Sequence, residues 1–261
     1  WKYIIEEFKK DHPIVHWHYR GHGQSAVPTN LETMSAEVVA RDLKQVLDSL
    51  KIKKAIFCGH SMGVQILLEA YMQIKSRVLG FVFLCGAAGH PIKTWHASFK
   101  RNGPKTAFNL GMQVLFTPVT QAMISLSDIL KPVWTKAVYN PLSFKIVQHL
   151  ELNPSRVTHD DFGPYLKGLA NMEAKVFAQM ARGLAKHTGV PILKHIKHPT
   201  LIVSGAKDTF APPWLLEDMH QSIENSEFLL IPDGSHTTPI EHPDLISLRI
   251  EKFLRERILR A

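Results

Sequence analysis

The chain has 261 residues, of which 45% are hydrophobic and 21% charged, with a formal net charge of +8 and two cysteines. That length suits one large core, or a core with an insertion, and the balance is that of an ordinary globular protein rather than a fibrous or disordered one. No apolar run reaches the roughly 18 residues of a membrane span, and no basic tract interleaves with aromatics as a nucleic-acid groove would.

Trp1 to Lys10 places Trp1, Ile4, Ile5 and Phe8 at helical spacing, so it reads as a short amphipathic helix. Asp11-His12-Pro13 is a turn. Pro13 to His18 then reads as a strand, closed by the loop Tyr19-Arg20-Gly21-His22-Gly23-Gln24-Ser25. Those glycines do not make a dinucleotide fingerprint. Ser35 can cap a helix to Leu50, whose buried stripe is Val38, Val39, Leu43, Val46, Leu47 and Leu50.

The apolar run Ala55-Ile56-Phe57-Cys58 leads into Gly59-His60-Ser61-Met62-Gly63, and a helical run follows from Val64 to Met72. Strand, sharp turn, helix is the context of a G-x-S-x-G nucleophile elbow. The turn lifts the Ser61 hydroxyl off the sheet edge, and the helix start aims backbone N–H groups at it. The Met62 N–H is therefore the expected oxyanion donor. Val78 to Cys85 is a nearly continuous apolar run, as in a strand buried on both faces of a parallel sheet.

From about Pro91 to Ile196 the strand–helix alternation breaks. Helical runs are expected at Thr106–Phe116, Val119–Ser127, Phe144–Leu150 and Met172–Lys186, with prolines punctuating them. Between Lys93 and Lys197 there are 14 Lys/Arg and 5 Asp/Glu, whereas the rest of the chain is near neutral. This reads as an all-helical basic insertion over the sheet's C-terminal edge. Alternation then resumes. A strand at Thr200–Gly205 runs into Lys207-Asp208, a helix spans Trp214–Ile223, and a strand at Phe228–Ile231 runs into Gly234-Ser235-His236. A closing helix from Pro243 to Leu259 turns Leu245, Ile246, Ile250, Phe253, Leu254 and Ile258 inward.

The expected fold class is therefore α/β: a mostly parallel sheet flanked by helices, with an inserted all-helical cap. The core would comprise residues 1–90 and 197–261, and the cap residues 91–196. Ser61, Asp208 and His236 each fall just past the C-terminal end of an expected strand, where ligands of open α/β sheets bind. A serine, an acid and a histidine so placed can form a triad. Ser61 attacks a carbonyl, His236 carries the proton, and Asp208 orients His236. Expected pocket neighbours are His60, Phe116, Met123, Phe210 and Thr237. No metal is expected, because His195-x-x-His198 lacks an acidic or thiol partner. Cys58 and Cys85 lie at strand ends and read as buried free thiols, which points to a reducing, cytoplasmic setting.

The segments Arg20-Gly21-His22-Gly23-Gln24-Ser25, Gly59-His60-Ser61-Met62-Gly63, Pro199 to Asp208, and Gly234-Ser235-His236 with Glu241-His242-Pro243 together resemble the α/β-hydrolase fold family, in its serine-nucleophile branch with a helical cap. The resemblance implies a cofactor-free hydrolase acting on a small-molecule carboxylic ester, and the apolar residues and net positive charge of the cap favour an apolar acyl group or an anionic amphiphile. It also implies that the branches using aspartate at the elbow, epoxide hydrolases and haloalkane dehalogenases, are disfavoured. Two rivals share the fold. One is a carbon–carbon bond hydrolase that holds a substrate carboxylate on Arg101, Arg156 or Arg182. The other is a ligand-binding receptor. The family's usual aspartate two residues before Arg20 is replaced by His18. The family pattern also places a further strand between the segment at 14–18 and the elbow strand. Omitting it would orphan buried backbone groups at about 1–3 kcal/mol each. The resemblance thus implies roughly 30 to 60 residues upstream of Trp1.

Overall fold

The computed structural model describes residues 1–101 and 103–259. Four parallel strands, β1 (Ala55–His60), β2 (Val78–Leu84), β3 (Thr200–Gly205) and β4 (Ser226–Ile231), form one sheet in that order. Pairs such as Phe57↔Phe81, Phe83↔Ile202 and Ile202↔Phe228 fix the register. Because side chains alternate along a strand, β2 sends Phe81 and Phe83 into one core and Val82 and Leu84 into the other. The first core is closed by α2 (Ala36–Ser49), α3 (Met62–Ile74) and α11 (Pro213–Ser222). The second is closed by α1 (Lys2–Phe8) and α13 (Pro243–Phe253), which continues into a π-helical turn at Leu254–Ile258. The sheet is thus covered on both faces, as parallel sheets require. Ser35 caps α2 by accepting from the Val38 N–H.

Seven helices stand between β2 and β3 among the described residues: α4 (Pro91–Thr94), α5 (Ala107–Ser125), α6 (Ser127–Val138), α7 (Pro141–Glu151), α8 (His159–Asn171), α9 (Ala174–Lys186) and α10 (Val190–Leu193). Short α12 (Thr238–Glu241) follows β4. The helix α9 anchors this segment to the core, because Val176, Met180 and Leu184 pack on Met34, Val39 and Ile66. No helix among the described residues is long and apolar enough to cross a membrane.

Several expectations are corrected. Residues 13–19 are not a strand: no strand lies beside them among the described residues, so no ladder forms, and Ile14 and Val15 are exposed. Pro118 does not divide the helix expected to break there, and α5 runs through it. The acceptor that Pro118 leaves without its N–H is the carbonyl of Val114. Val114 itself is exposed, where water can serve that carbonyl. Helices α6 and α8 fill stretches of the all-helical segment between the runs singled out from the sequence. Cys58 is exposed rather than buried, since β1 is an edge strand, while Cys85 is buried, and both thiols are free. Leu245 and Leu50 face solvent instead of the core.

Candidate active site

The elbow is strained where the motif requires it. Ser61 sits at φ 54°, ψ −119°, between β1 and α3. A non-glycine residue there costs about 1–3 kcal/mol and persists only when its surroundings hold it. They do: the Ser61 N–H donates to the Leu84 carbonyl (3.0 Å), and the Ser61 carbonyl accepts from the Val64 N–H (3.0 Å). Close approach explains two glycines. A Cβ on Gly59 would lie 2.9 Å from the Gly63 carbonyl carbon, and one on Gly86 would lie 2.5 Å from the Ser61 carbonyl oxygen. Met62 is the first residue of α3, so its N–H has no acceptor within the helix.

Asp208 follows β3 and is fully buried. Its Oδ1 accepts the N–H groups of Phe210 (2.9 Å) and Ala211 (2.8 Å), which fixes the carboxylate plane. His236 follows β4. Its Nδ1 lies 3.0 Å from Asp208 Oδ2 and 3.1 Å from Oδ1, and its Nε2 lies 2.8 Å from Ser61 Oγ. The tautomer follows from donor arithmetic. A carboxylate only accepts, so Nδ1 carries the proton and Nε2 presents a lone pair to the serine hydroxyl. Burial is the largest single influence and lowers the basicity of His236, but the charge and hydrogen bond of Asp208, with the charges of Glu151 and Glu241, together outweigh it, so its pKa is raised above the ordinary 6.5. The ring is packed between Phe210 and His60, with centroids 4.7 and 5.1 Å away.

The other expected neighbours have distinct placements. His60 Nε2 is 2.8 Å from the His236 carbonyl and so must donate to it. Burial holds this imidazole neutral, with its pKa lowered to about 3. Phe210 lines a small cavity of about 50 Å³ with Ser61, Met62, Cys85, Ala87 and His236. Thr237 Oγ1 donates to Glu241 Oε1 (2.8 Å), away from Ser61. Phe116 and Met123 lie on α5 and do not line that cavity. A wider depression of about 560 Å³, between residues 17–26 and α2, holds the Arg20–Asp42 pair and no nucleophile–base pair. His195 and His198 meet Tyr71 instead of a ligand set: the Tyr71 hydroxyl donates to the His195 carbonyl (3.0 Å) and lies 3.2 Å from His198 Nδ1.

Two carboxylates have roles that the sequence does not assign: Glu241, read there only as part of a family motif, and Glu151. Glu241 is buried and pairs with no Lys, Arg or His among the described residues. It accepts the Ser235 N–H (2.7 Å), the Ser235 hydroxyl, the Thr237 hydroxyl and the Asn153 N–H (2.9 Å). It therefore grips the loop on both sides of His236. An acid a few residues after a histidine flanked by hydroxyls is the local signal that could have found it. Glu151, at the end of α7, accepts from the Thr209 hydroxyl and from Trp95 Nε1 (3.3 Å), and lies 2.8 Å from His96 Nε2. Trp95 stacks on Phe210 at 4.8 Å, so Glu151 braces the acid loop. Only the three-dimensional fold brings residue 151 there.

A parallel α/β sheet bearing a strained serine, a buried acid and a bridging histidine at its C-terminal edge is the layout of the α/β-hydrolases. The family model of the alpha/beta hydrolase fold matches residues 1–243, and the chain belongs to that family. It is 27% identical over 244 residues to 3-oxoadipate enol-lactonase 1 of Acinetobacter baylyi, covering 94% of this chain and 79% of that protein. It is 24% identical over 288 residues to epoxide hydrolase 4 of Mus musculus, covering 100% of this chain and 70% of that protein. Among solved structures, a thermophilic esterase from Thermogutta terrifontis superposes with a TM-score of 0.73 at 20% identity, over 99% of this chain and 85% of that one. The family match and the two curated relatives support a hydrolase, and the solved structure shares the fold.

Proposed function

We propose that the chain is a serine hydrolase that cleaves a carboxylic ester through an acyl-enzyme. The observation that carries this reading is His236, bonded through one ring nitrogen to Ser61 and through the other to Asp208. Ser61 Oγ adds to the ester carbonyl as Nε2 takes its proton. His236 then returns the proton to the departing alcohol, and water hydrolyses the acyl-serine by the same route in reverse. The Met62 N–H receives the oxyanion. The helical segment at 91–196 serves as the cap over this site.

Nucleophile chemistry favours an ester over an epoxide. A carboxylate that opens an epoxide forms an ester, which water can cleave. A serine would form an ether, which His236-activated water has no carbonyl to attack. A lactone, the substrate class named for the Acinetobacter relative, is itself an ester. Carbon–carbon hydrolysis is less favoured, because the arginines that would hold a substrate carboxylate are engaged. Arg101 pairs with Asp218, Arg156 with Asp233, and Arg182 donates to Gln121 Oε1 (2.6 Å).

The test is a series of p-nitrophenyl esters from short to long acyl chains, run beside Ser61→Ala. Turnover that disappears in the variant supports the reading. Wild-type turnover that survives in Ser61→Ala, or none at all from a folded protein, overturns it.

A further inference from the structure

The helix α5 is apolar on its outer face as well as its inner one, where Met112, Phe116 and Met123 are half-buried. Its 19 residues include no Asp, Glu, Lys or Arg, yet its only fully buried residues are polar, Asn109 and Thr120. Asn109 Nδ2 donates to the carbonyls of Trp95 (2.7 Å) and Lys93 (3.2 Å), and Thr120 donates back to the Phe116 carbonyl, so both are satisfied inward. At roughly 100° per residue these two share one side of the helix. Phe108, Leu110, Val114, Leu115 and Val119 occupy the opposite arc, and all are exposed, Val114 by 74%. The pattern continues on the next two helices. Ile129 and Val133 on α6, and Leu142 and Ile146 on α7, are exposed at helical repeats of four. Lys136 falls on the stripe of Ile129 and Val133, and Lys145 on that of Leu142 and Ile146.

Exposed apolar stripes on three successive helices are the kind of surface that marks an interaction site. Charge selects the partner. Between residues 103 and 149 the basic residues are Lys105, Lys131, Lys136 and Lys145, and the only acidic one is Asp128. Asp128 reaches out to Lys175, and among the described residues none of the four lysines forms an ion pair. A second copy docked by two-fold symmetry would set these lysines against themselves. An apolar face studded with unpaired lysines fits an anionic lipid surface, with the apolar side chains in the acyl boundary and the ammonium groups at the headgroups. The helix α5 does not qualify as a span, so it would lie in the interface instead of crossing it.

We propose that the outer faces of α5, α6 and α7 dock the protein on anionic phospholipid membranes. This stands independently of the reaction assigned to Ser61.

The experiment is flotation of the full chain with vesicles of phosphatidylcholine alone or mixed with phosphatidylglycerol, across a salt series. The wild type is expected to float with the mixed vesicles and to be released by salt. Val114→Glu with Val119→Glu, at exposed positions where folding is checked by circular dichroism, is expected to lose binding at least tenfold. Lys131→Gln, Lys136→Gln and Lys145→Gln together are expected to cost about fivefold per lysine and to flatten the salt dependence. No flotation, equal flotation with both vesicle types, or binding indifferent to these substitutions would overturn the proposal. So would lipid-free self-association that the two glutamates abolish, since the face would then belong to a protein partner.

Discussion

At the scale of single residues, the site depends on one tautomer. Asp208 keeps the His236 proton on Nδ1 and raises the ring's pKa. On the proposed function His236 acts as a base only when neutral, so ester turnover should fall as pH drops through a value above 6.5. The same shift stabilises the fold at low pH: the raised pKa contributes stability that is full below about 6.5 and is lost as pH rises through the folded value. In Asp208→Asn the carboxamide can still accept from Phe210 and Ala211, but its NH₂ faces Nδ1 and favours the other tautomer, with the proton on Nε2. Loss of about 10⁴ in kcat is expected, with the acid limb of kcat/KM displaced to lower pH. A pH–rate profile of wild type and variant checks both. An unmoved acid limb would mean that another group controls it.

At the scale of elements, the loop carrying His236 is held from inside by Glu241. The substitution Glu241→Gln turns one acceptor of that carboxylate into a donor, facing the hydroxyls and N–H groups it now receives. Such a mismatch costs about 1–3 kcal/mol per unsatisfied buried group, and urea denaturation measures it. Because the loop positions a base rather than a binding surface, kcat should fall while KM changes little. A rise in KM at constant kcat would instead place Glu241 in substrate binding. This brace left only a faint local signal, an acid five residues after His236, whereas the strands and the elbow were plainly legible. The run Val78–Cys85 and the G-x-S-x-G turn are local signals, and the structure carries β2 and the strained Ser61 at those positions. Ser61, Asp208 and His236 could be grouped because each follows a strand of one parallel sheet. Glu151 and Asn153 reach the acid and base loops only through the path of α7, which no spacing in the chain encodes. The segment at 14–18 failed for a related reason. Its composition suits a strand, but a strand exists only against a neighbour. Helix α8 carries a local start signal in the sequence, the capping box of Thr158 with Asp161.

At the scale of the whole molecule, the space beside Ser61 holds little more than a water or two. About 50 Å³ is far below the roughly 300–1,000 Å³ of sites that bind small molecules. On the proposed function, an ester enters only when the helical segment moves away from the sheet. Polar ties hold its edges down. Arg101 pairs with Asp218 on α11, Arg156 Nε meets Asp233 Oδ2 after β4 at 2.8 Å, and Asn153 Nδ2 donates to the Asp233 carbonyl at 2.9 Å. Both ion pairs are substantially exposed, so each contributes only about 0.2–1 kcal/mol and weakens with salt. Removing both in Arg101→Ala with Arg156→Ala should therefore raise the open population by about twofold to thirtyfold, without touching the triad. The consequence is selective: kcat/KM for long-chain or branched esters should rise by that factor, while the smallest esters change less. Added salt should give the wild type part of the same gain and the double variant little of it. Measuring kcat/KM for a short and a long ester across a salt series separates this from a general effect on catalysis. Equal changes for both esters would mean that the segment does not limit entry and that the cavity opens by another route.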